Sequence, residues 1–304
     1  MRVLAGVFTP SRSPSRARKV TLKSLARRTC RAVSKHNCFG RAAELAYYFL
    51  LAFFPFLIFL LSFMTFMPGA QEVILAWFSK VMPPDATKLV NEWLGSVFSS
   101  RSRGLLPFGL VLSLWWASSG VNALVAALNT AYEINEGRPL WKTYFLAFGL
   151  TITLSLLVIG GVAIITFGEE PASWIADRLG LEARFSHIWN LVRYVTGFAM
   201  LIVGIGIIYH FGPNVEQKWR WVAPGTFFAG AGFIGVSFVL SLYLKLVPSY
   251  DATYGSLGAM IVFMLWLYLI GLILFIGGEI NSEIVDAMGE PVIEKEEPER
   301  RKIA

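Results

Sequence analysis

An all-α, polytopic membrane fold with six transmembrane helices is predicted by three features of the sequence. Of 304 residues, 55% are hydrophobic and 15% charged, against about 25% charge in an ordinary soluble domain. Six stretches free of Asp, Glu, Lys and Arg reach or approach the roughly 20 residues that cross a hydrocarbon layer as helix. They are 45–70, 104–132, 143–168, 194–209, 221–244 and 252–278, the fourth being the shortest. Basic residues are also unevenly placed: residues 1–41 hold eleven Lys and Arg and no acid. These runs are continuous rather than alternating, which excludes a membrane β-barrel.

The charge bias sets the orientation, because cytoplasmic segments retain positive charge. The N-terminus is expected inside, and six crossings return the C-terminus to the same side. The loops 133–142 and 212–220 are then cytoplasmic, and 71–103, 169–192 and 246–251 face outward. The chain divides into a basic arm over 1–41, a transmembrane domain over 42–284 and a charged tail over 285–304.

Within the arm, Leu22, Leu25, Ala26, Thr29 and Val33 recur at helical spacing among Lys23, Arg27, Arg28, Arg31 and Lys35. That pattern suits a helix lying on an anionic cytoplasmic leaflet, so membrane lipids are the expected partner and nucleic acid is not. Cys30 and Cys38 lie in this arm without partners at metal-ligand spacing and read as incidental.

The first span contains Pro55, which frees a backbone carbonyl and marks a kink. Two apolar stripes follow on the outward side, one through Val73, Trp77 and Val81, the other through Leu89, Trp93 and Val97. Interrupted by Pro83 and Pro84, they are too short to span and read as amphipathic helices on the outer leaflet or capping the bundle. Pro107 and Pro224 lie near the starts of spans two and five. A further surface helix is expected within 169–180. Gly225, Ala229, Gly232 and Gly235 make the fifth span a surface that another backbone can approach closely. "YGSLG" at 254–258 lacks the Lys and Ser or Thr of a phosphate loop and reads as a turn into span six, with Tyr254 as an interface anchor and Gly255 beside it.

Chemistry-bearing residues gather at the inner ends. Glu279, Glu283 and Asp286 are spaced to share one face at the end of span six. Glu44 precedes span one and His210 ends span four. Two readings stand: these groups mark where the membrane stops, pairing with Arg41, Lys218 or Arg220, or Glu44, His210 and Glu279 line the inner mouth of a solute or proton pathway. Arg193, at the outer end of span four, either meets an anionic solute or lipid headgroup or extends to the outer surface. The histidines His36, His187 and His210 fall inside, outside and inside and do not form one site. No zincin, nucleophile-elbow or phosphate-loop motif is present, so neither an enzyme nor a cofactor is expected. A second copy of the chain is a partner that the outward helices or the arm could serve.

The stretches "AELAYYFLLAFFPF", "FGPNVEQKWRWVAPGTF" and "YGSLGAMIVFMLWLYLIGLILFIGGEINSE", in this order, resemble the YihY/BrkB family of six-span bacterial inner-membrane proteins over roughly residues 30–287. The resemblance implies a role in envelope integrity and serum resistance and a suspected transport or lipid-translocation activity. It also carries an old ribonuclease BN label, for which these residues offer no site. Pro55, Pro213, Pro224–Gly225, Tyr254–Gly255, Gly278–Glu279 and Asn281 match the family pattern, which conveys the fold rather than a mechanism.

Overall fold

A computed structural model describes residues 21–64, 105–167, 184–246, 249–289 and 292–295. The helices are α1 (Leu22–Lys35), α2 (Cys38–Met64), α3 (Leu105–Ala131), α4 (Leu140–Phe167), α5 (Arg184–Phe211), α6 (Trp219–Leu246) and α7 (Ser249–Ala287), with two short strands, β1 (Val215–Glu216) and β2 (Ile293–Glu294). Five of them contain segments long and apolar enough to cross a membrane: Pro107–Ala131, Leu140–Gly161, Leu191–Phe211, Trp219–Tyr243 and Met260–Ala287. The architecture is therefore that of an all-α membrane protein. The expected outward helices within 71–103 and the expected helix within 169–180 lie outside the described residues.

The chain forms two compact units, one from residues 1–47 and 118–304, the other from residues 48–117. In the smaller unit, Pro55 sits inside α2 and Pro107 is the third residue of α3. There a proline's missing N–H coincides with donors that have no intrahelical acceptor anyway. Phe53 and Phe54 meet edge to face at 5.8 Å, and Ser113 Oγ donates to Leu110 O at 3.0 Å.

The larger unit is organised by the packing of α6 on α7, of α4 on α5 and of α1 on α7. Contact of α6 with α7 is as close as the glycines of the fifth span suggest. A Cβ at Gly225 would meet Asn281 Oδ1 at 2.6 Å and collide with the carbonyl of Gly277, and one at Gly232 would lie 2.7 Å from Ile273 Cγ2. Pro224 is inside α6, and the Gly225 amide after it donates to Asn281 Oδ1 at 2.7 Å. Gly235 differs: nothing lies within 4 Å of where its Cβ would be. Large apolar side chains such as Phe145, Phe238 and Val239 stay exposed, as lipid-facing residues of a membrane protein do.

One sequence expectation needs correction. Residues 254–258 belong to α7, which starts at Ser249, rather than forming a turn. Single glycines are tolerated in a long apolar helix because in lipid every backbone amide must be satisfied within the helix. On α1, which packs against α7, Thr29, Ala32 and Val33 are buried, Leu25 is half-buried and Ala26 is exposed. Within the tail, β2 pairs antiparallel with β1, Val215 opposite Glu294 and Glu216 opposite Ile293. Tyr132, Ile134, Val215, Val285 and Val292 form a small apolar cluster beneath that ladder, with Trp221 against it.

Candidate functional site

The site grows out of the corner between α1 and α2. Helix α1 ends at Lys35, and the His36 amide closes the last turn on Ala32 O at 2.8 Å. Asn37 then takes a positive φ of 51°, a conformation Asn tolerates better than most side chains. Helix α2 begins at once with Cys38. This tight corner turns His36 and Cys38 toward the same carboxylate, that of Glu279 in α7.

Glu279 is 2% exposed. His36 Nδ1 lies 2.7 Å from Glu279 Oε1, and the Cys38 thiol donates weakly to the same oxygen at 3.7 Å. On the other side of the imidazole, Nε2 is 3.7 Å from Glu133 Oε1, and Glu133 is also ion-paired with Lys35. A carboxylate taken out of water needs such partners, because leaving it unpaired costs several kcal/mol. Cys38 precedes the apolar run that starts at Leu45. Its thiol is pushed up to about 12, first by burial, then by the charge of Glu279 and the hydrogen bond to it. Cys38 is thus a neutral donor rather than a nucleophile.

Around this centre the helix ends are tied by side chains. Ser282 Oγ donates to Ala131 O at 2.6 Å, satisfying a carbonyl at the end of α3 that has no helical partner. Asn129 accepts from the Asn214 amide at 2.8 Å and donates to Glu136 at 2.7 Å. Arg138 donates to Gly212 O at 2.9 Å and to Asn214 Oδ1 at 3.3 Å. Tyr132 OH donates to Gln217 at 2.8 Å, and the Gln217 amide donates to Tyr209 O. From the tail, the Lys295 amide donates to Asn214 O at 3.0 Å, and its ammonium reaches His210 O and Pro213 O at 3.4 Å each. Burial and then the nearby Arg138 lower the Lys295 pKa. The result is a polar belt joining the end of α3 to α7 and to the connection between α5 and α6, with Glu279 beside it.

The residues singled out from the sequence separate. Glu283 and Asp286 both pair with Arg28 of α1, at 3.6 Å and 3.2 Å. Asn281 is fully buried at the α6–α7 contact. Glu44 is exposed. The His210 ring stacks on Trp219, centroids 4.1 Å apart and 14° from parallel. Among the described residues neither Glu44 nor His210 bonds to Glu279. Arg193 is buried, its guanidinium 5.2 Å from the Tyr194 ring centroid. Arg41 turns to His36 O and to Thr130 Oγ1 instead of to a carboxylate. The side chain of Tyr254 and the surroundings of Gly255 lie outside the described residues.

His36 and Cys38 were not anticipated as site residues. The available signal was "KHNC", where an amphipathic helix abuts span one across an Asn. That junction puts both side chains at the depth of the last acidic turn of span six.

Apolar helices of membrane-crossing length, tied at one end by a polar belt beside a buried, histidine-bound carboxylate, define a polytopic α-helical membrane protein. Comparison with known sequences gives the family. The chain belongs to the virulence factor BrkB family, whose model matches residues 29–302. It is 36% identical over 247 residues to a Bacillus subtilis (strain 168) protein bearing the provisional name ribonuclease-like protein YfkH, covering 81% of this chain and 90% of that one. It is 25% identical over 266 residues to the UPF0761 membrane protein PSHAa0171 of Pseudoalteromonas translucida (strain TAC 125), covering 86% of each. With the UPF0761 membrane protein of Verminephrobacter eiseniae (strain EF01-2) it shares 25% identity over 247 residues, 79% of this chain and 57% of that longer protein. No solved structure matches the chain.

Proposed function

We propose that the chain is a six-span inner-membrane protein, with α2 as the remaining span and both termini cytoplasmic, and that it moves a solute or lipid across the bilayer. One observation carries this reading: a carboxylate 2% exposed in the apolar helix α7, held at 2.7 Å by a histidine from outside the spans. Ionisable groups inside membrane helices are expensive to keep and concentrate where a transported species or proton passes. The cluster stands at the inner end of the bundle, where such a group would govern entry from the cytoplasm. The ribonuclease-like name belongs to the Bacillus relative, and this reading includes no cleavage step.

Purified protein in liposomes is expected to give flux of a fluorescent lipid or of one member of an osmolyte panel. Glu279→Gln, which keeps the volume and one acceptor oxygen but removes the charge, should reduce that flux at least roughly tenfold, the effect of a lost 1.4 kcal/mol. No flux with any member of the panel, or flux indifferent to Glu279→Gln in a folded protein, contradicts the reading.

A second reading, a non-catalytic envelope scaffold, is favoured by the lack of a bond, among the described residues, from Glu44 or His210 to Glu279 and by the side-chain ties that hold the helix ends together. Under it, Glu279→Gln is silent in cells, while deletion of residues 71–103 abolishes the envelope phenotype.

A further inference from the structure

The outward-turned face of α1 is unlike the rest of the larger unit. Arg28, Thr29, Ala32 and Val33 turn toward the bundle, Arg28 pairing with Glu283 and Asp286 and the others buried. Lys23, Arg27 and Arg31 are exposed and spaced i, i+4 and i+8, so they form one row along the helix. Helix α1 contains no acidic residue. Among the described residues no carboxylate pairs with any of the three. Like charges in such a row repel one another unless an anion lies along them.

The row borders an open surface cavity of about 440 Å³, lined by Thr21, Lys23, Ser24, Arg27, Arg28 and Arg31. Thr21 and Ser24 close the start of the helix, Ser24 Oγ donating to Thr21 O at 2.7 Å and the Thr21 amide donating to Ser24 Oγ at 3.1 Å. A helix start of this kind adds partial positive charge to the same place.

Depth selects the occupant. Helix α7 carries the span Met260–Ala287, and Glu283 and Asp286 stand in its last two turns. By pairing with them, Arg28 fixes α1 at the level where the span leaves the hydrocarbon. At that level the abundant anion is the phosphate of a lipid headgroup.

We propose that Lys23, Arg27 and Arg31 form a docking row for the phosphate headgroups of anionic phospholipids, with α7 holding the helix at headgroup level. The row is oriented by protein packing rather than by insertion of an apolar face, so its lipid preference is set by charge. The proposal stands whether or not the bundle transports anything.

The chain supplies its own probe. Of its two cysteines, Cys30 is exposed on α1 and Cys38 is buried, so a thiol-reactive fluorophore marks α1 alone. Full-length protein labelled at Cys30 is placed in phosphatidylcholine nanodiscs containing an equal minor fraction of brominated phosphatidylglycerol or brominated phosphatidylcholine. Brominated phosphatidylglycerol is expected to quench several-fold more strongly. Arg27→Gln or Arg31→Gln, single changes on an exposed face, should each cut that preference by up to about fivefold. Lys35→Gln, one turn beyond Arg31 but already paired with Glu133, should leave it unchanged, as should added inorganic phosphate.

Equal quenching by the two brominated lipids overturns the proposal. So does a loss with Lys35→Gln matching that with Arg27→Gln, which would reduce the effect to net charge. Displacement by millimolar inorganic phosphate would mark a free-anion site instead, and displacement by a short RNA would mark a nucleic-acid arm.

Discussion

Replacing Glu279 by Ala should loosen the corner between α1 and α2 and expose a thiol that is otherwise silent. In the native chain Glu279 accepts from His36 at 2.7 Å and from Cys38 at 3.7 Å, in a space where it is 2% exposed. Its removal leaves two buried polar groups without their acceptor, at roughly 1–3 kcal/mol each. Relief from burying a carboxylate offsets part of this, so a net loss of about 2–4 kcal/mol is expected. The thiol supplies the assay. Cys38 is pushed up from 9.0 to about 12, which lowers its thiolate fraction near neutral pH about a thousandfold relative to an ordinary cysteine. Maleimide should therefore label the native protein once, at Cys30. In Glu279→Ala the charge and hydrogen bond that raise the Cys38 pKa are gone and the corner is no longer pinned, so a second label should appear at least roughly ten times faster than in the native chain. Unchanged second-site labelling together with unchanged unfolding in detergent would refute the reasoning, because burial alone would then hold the corner.

Other consequences follow from the same contacts. Gly225→Ala should destabilise the protein by about 1–3 kcal/mol through overpacking against Asn281 and α7, whereas Gly235→Ala, with open space at its Cβ, should be neutral or stabilising; thermal unfolding in detergent compares them. Arg28→Gln removes a part-exposed pair of ion contacts to Glu283 and Asp286, worth up to about 1 kcal/mol, and should speed amide exchange in α1 several-fold without affecting α4. Truncation after Gly289 removes β2 and Lys295 and should cost about 1–3 kcal/mol, with faster amide exchange confined to residues 210–217. The elevated Cys38 pKa has a definite sign: the folded chain holds the thiol proton more tightly, so the stabilisation is complete below pH 9 and lost as pH rises from 9.0 toward about 12. Cys38→Ala should flatten that part of the stability profile, measured by denaturant unfolding across the alkaline range.

How far the molecule could be read from its residues depended on the kind of signal. Continuous apolar runs locate the spans because lipid imposes a length and a composition on each helix separately. The close contact of α6 on α7 was visible in Gly225, Ala229 and Gly232, since small residues at helical spacing serve few other purposes in a span. Gly235 shows the limit of that argument, as spacing alone does not say where a contact ends. The helical course of residues 254–258 was hidden because Gly and Ser signal turns in water but lose that meaning where backbone amides have no solvent. Glu279 stood out because it interrupts an apolar helix. Its partners did not, because His36 and Cys38 reach it only through the left-handed turn at Asn37 and the packing of α1 on α7, which are properties of tertiary structure. Helical spacing placed Glu283 and Asp286 on one face but could not reveal that Arg28, some 250 residues earlier in sequence, neutralises both.

Sidedness bears most directly on the central claim, that the Glu279 cluster closes the cytoplasmic end of a six-span bundle with both termini inside. It is measured with a membrane-impermeant maleimide applied to intact spheroplasts and to inverted vesicles, using native Cys30 and, in a Cys30→Ser background, Ala304→Cys. Both positions are expected to react in inverted vesicles and to stay silent in spheroplasts. Labelling of either one from the outside of intact spheroplasts would contradict the account.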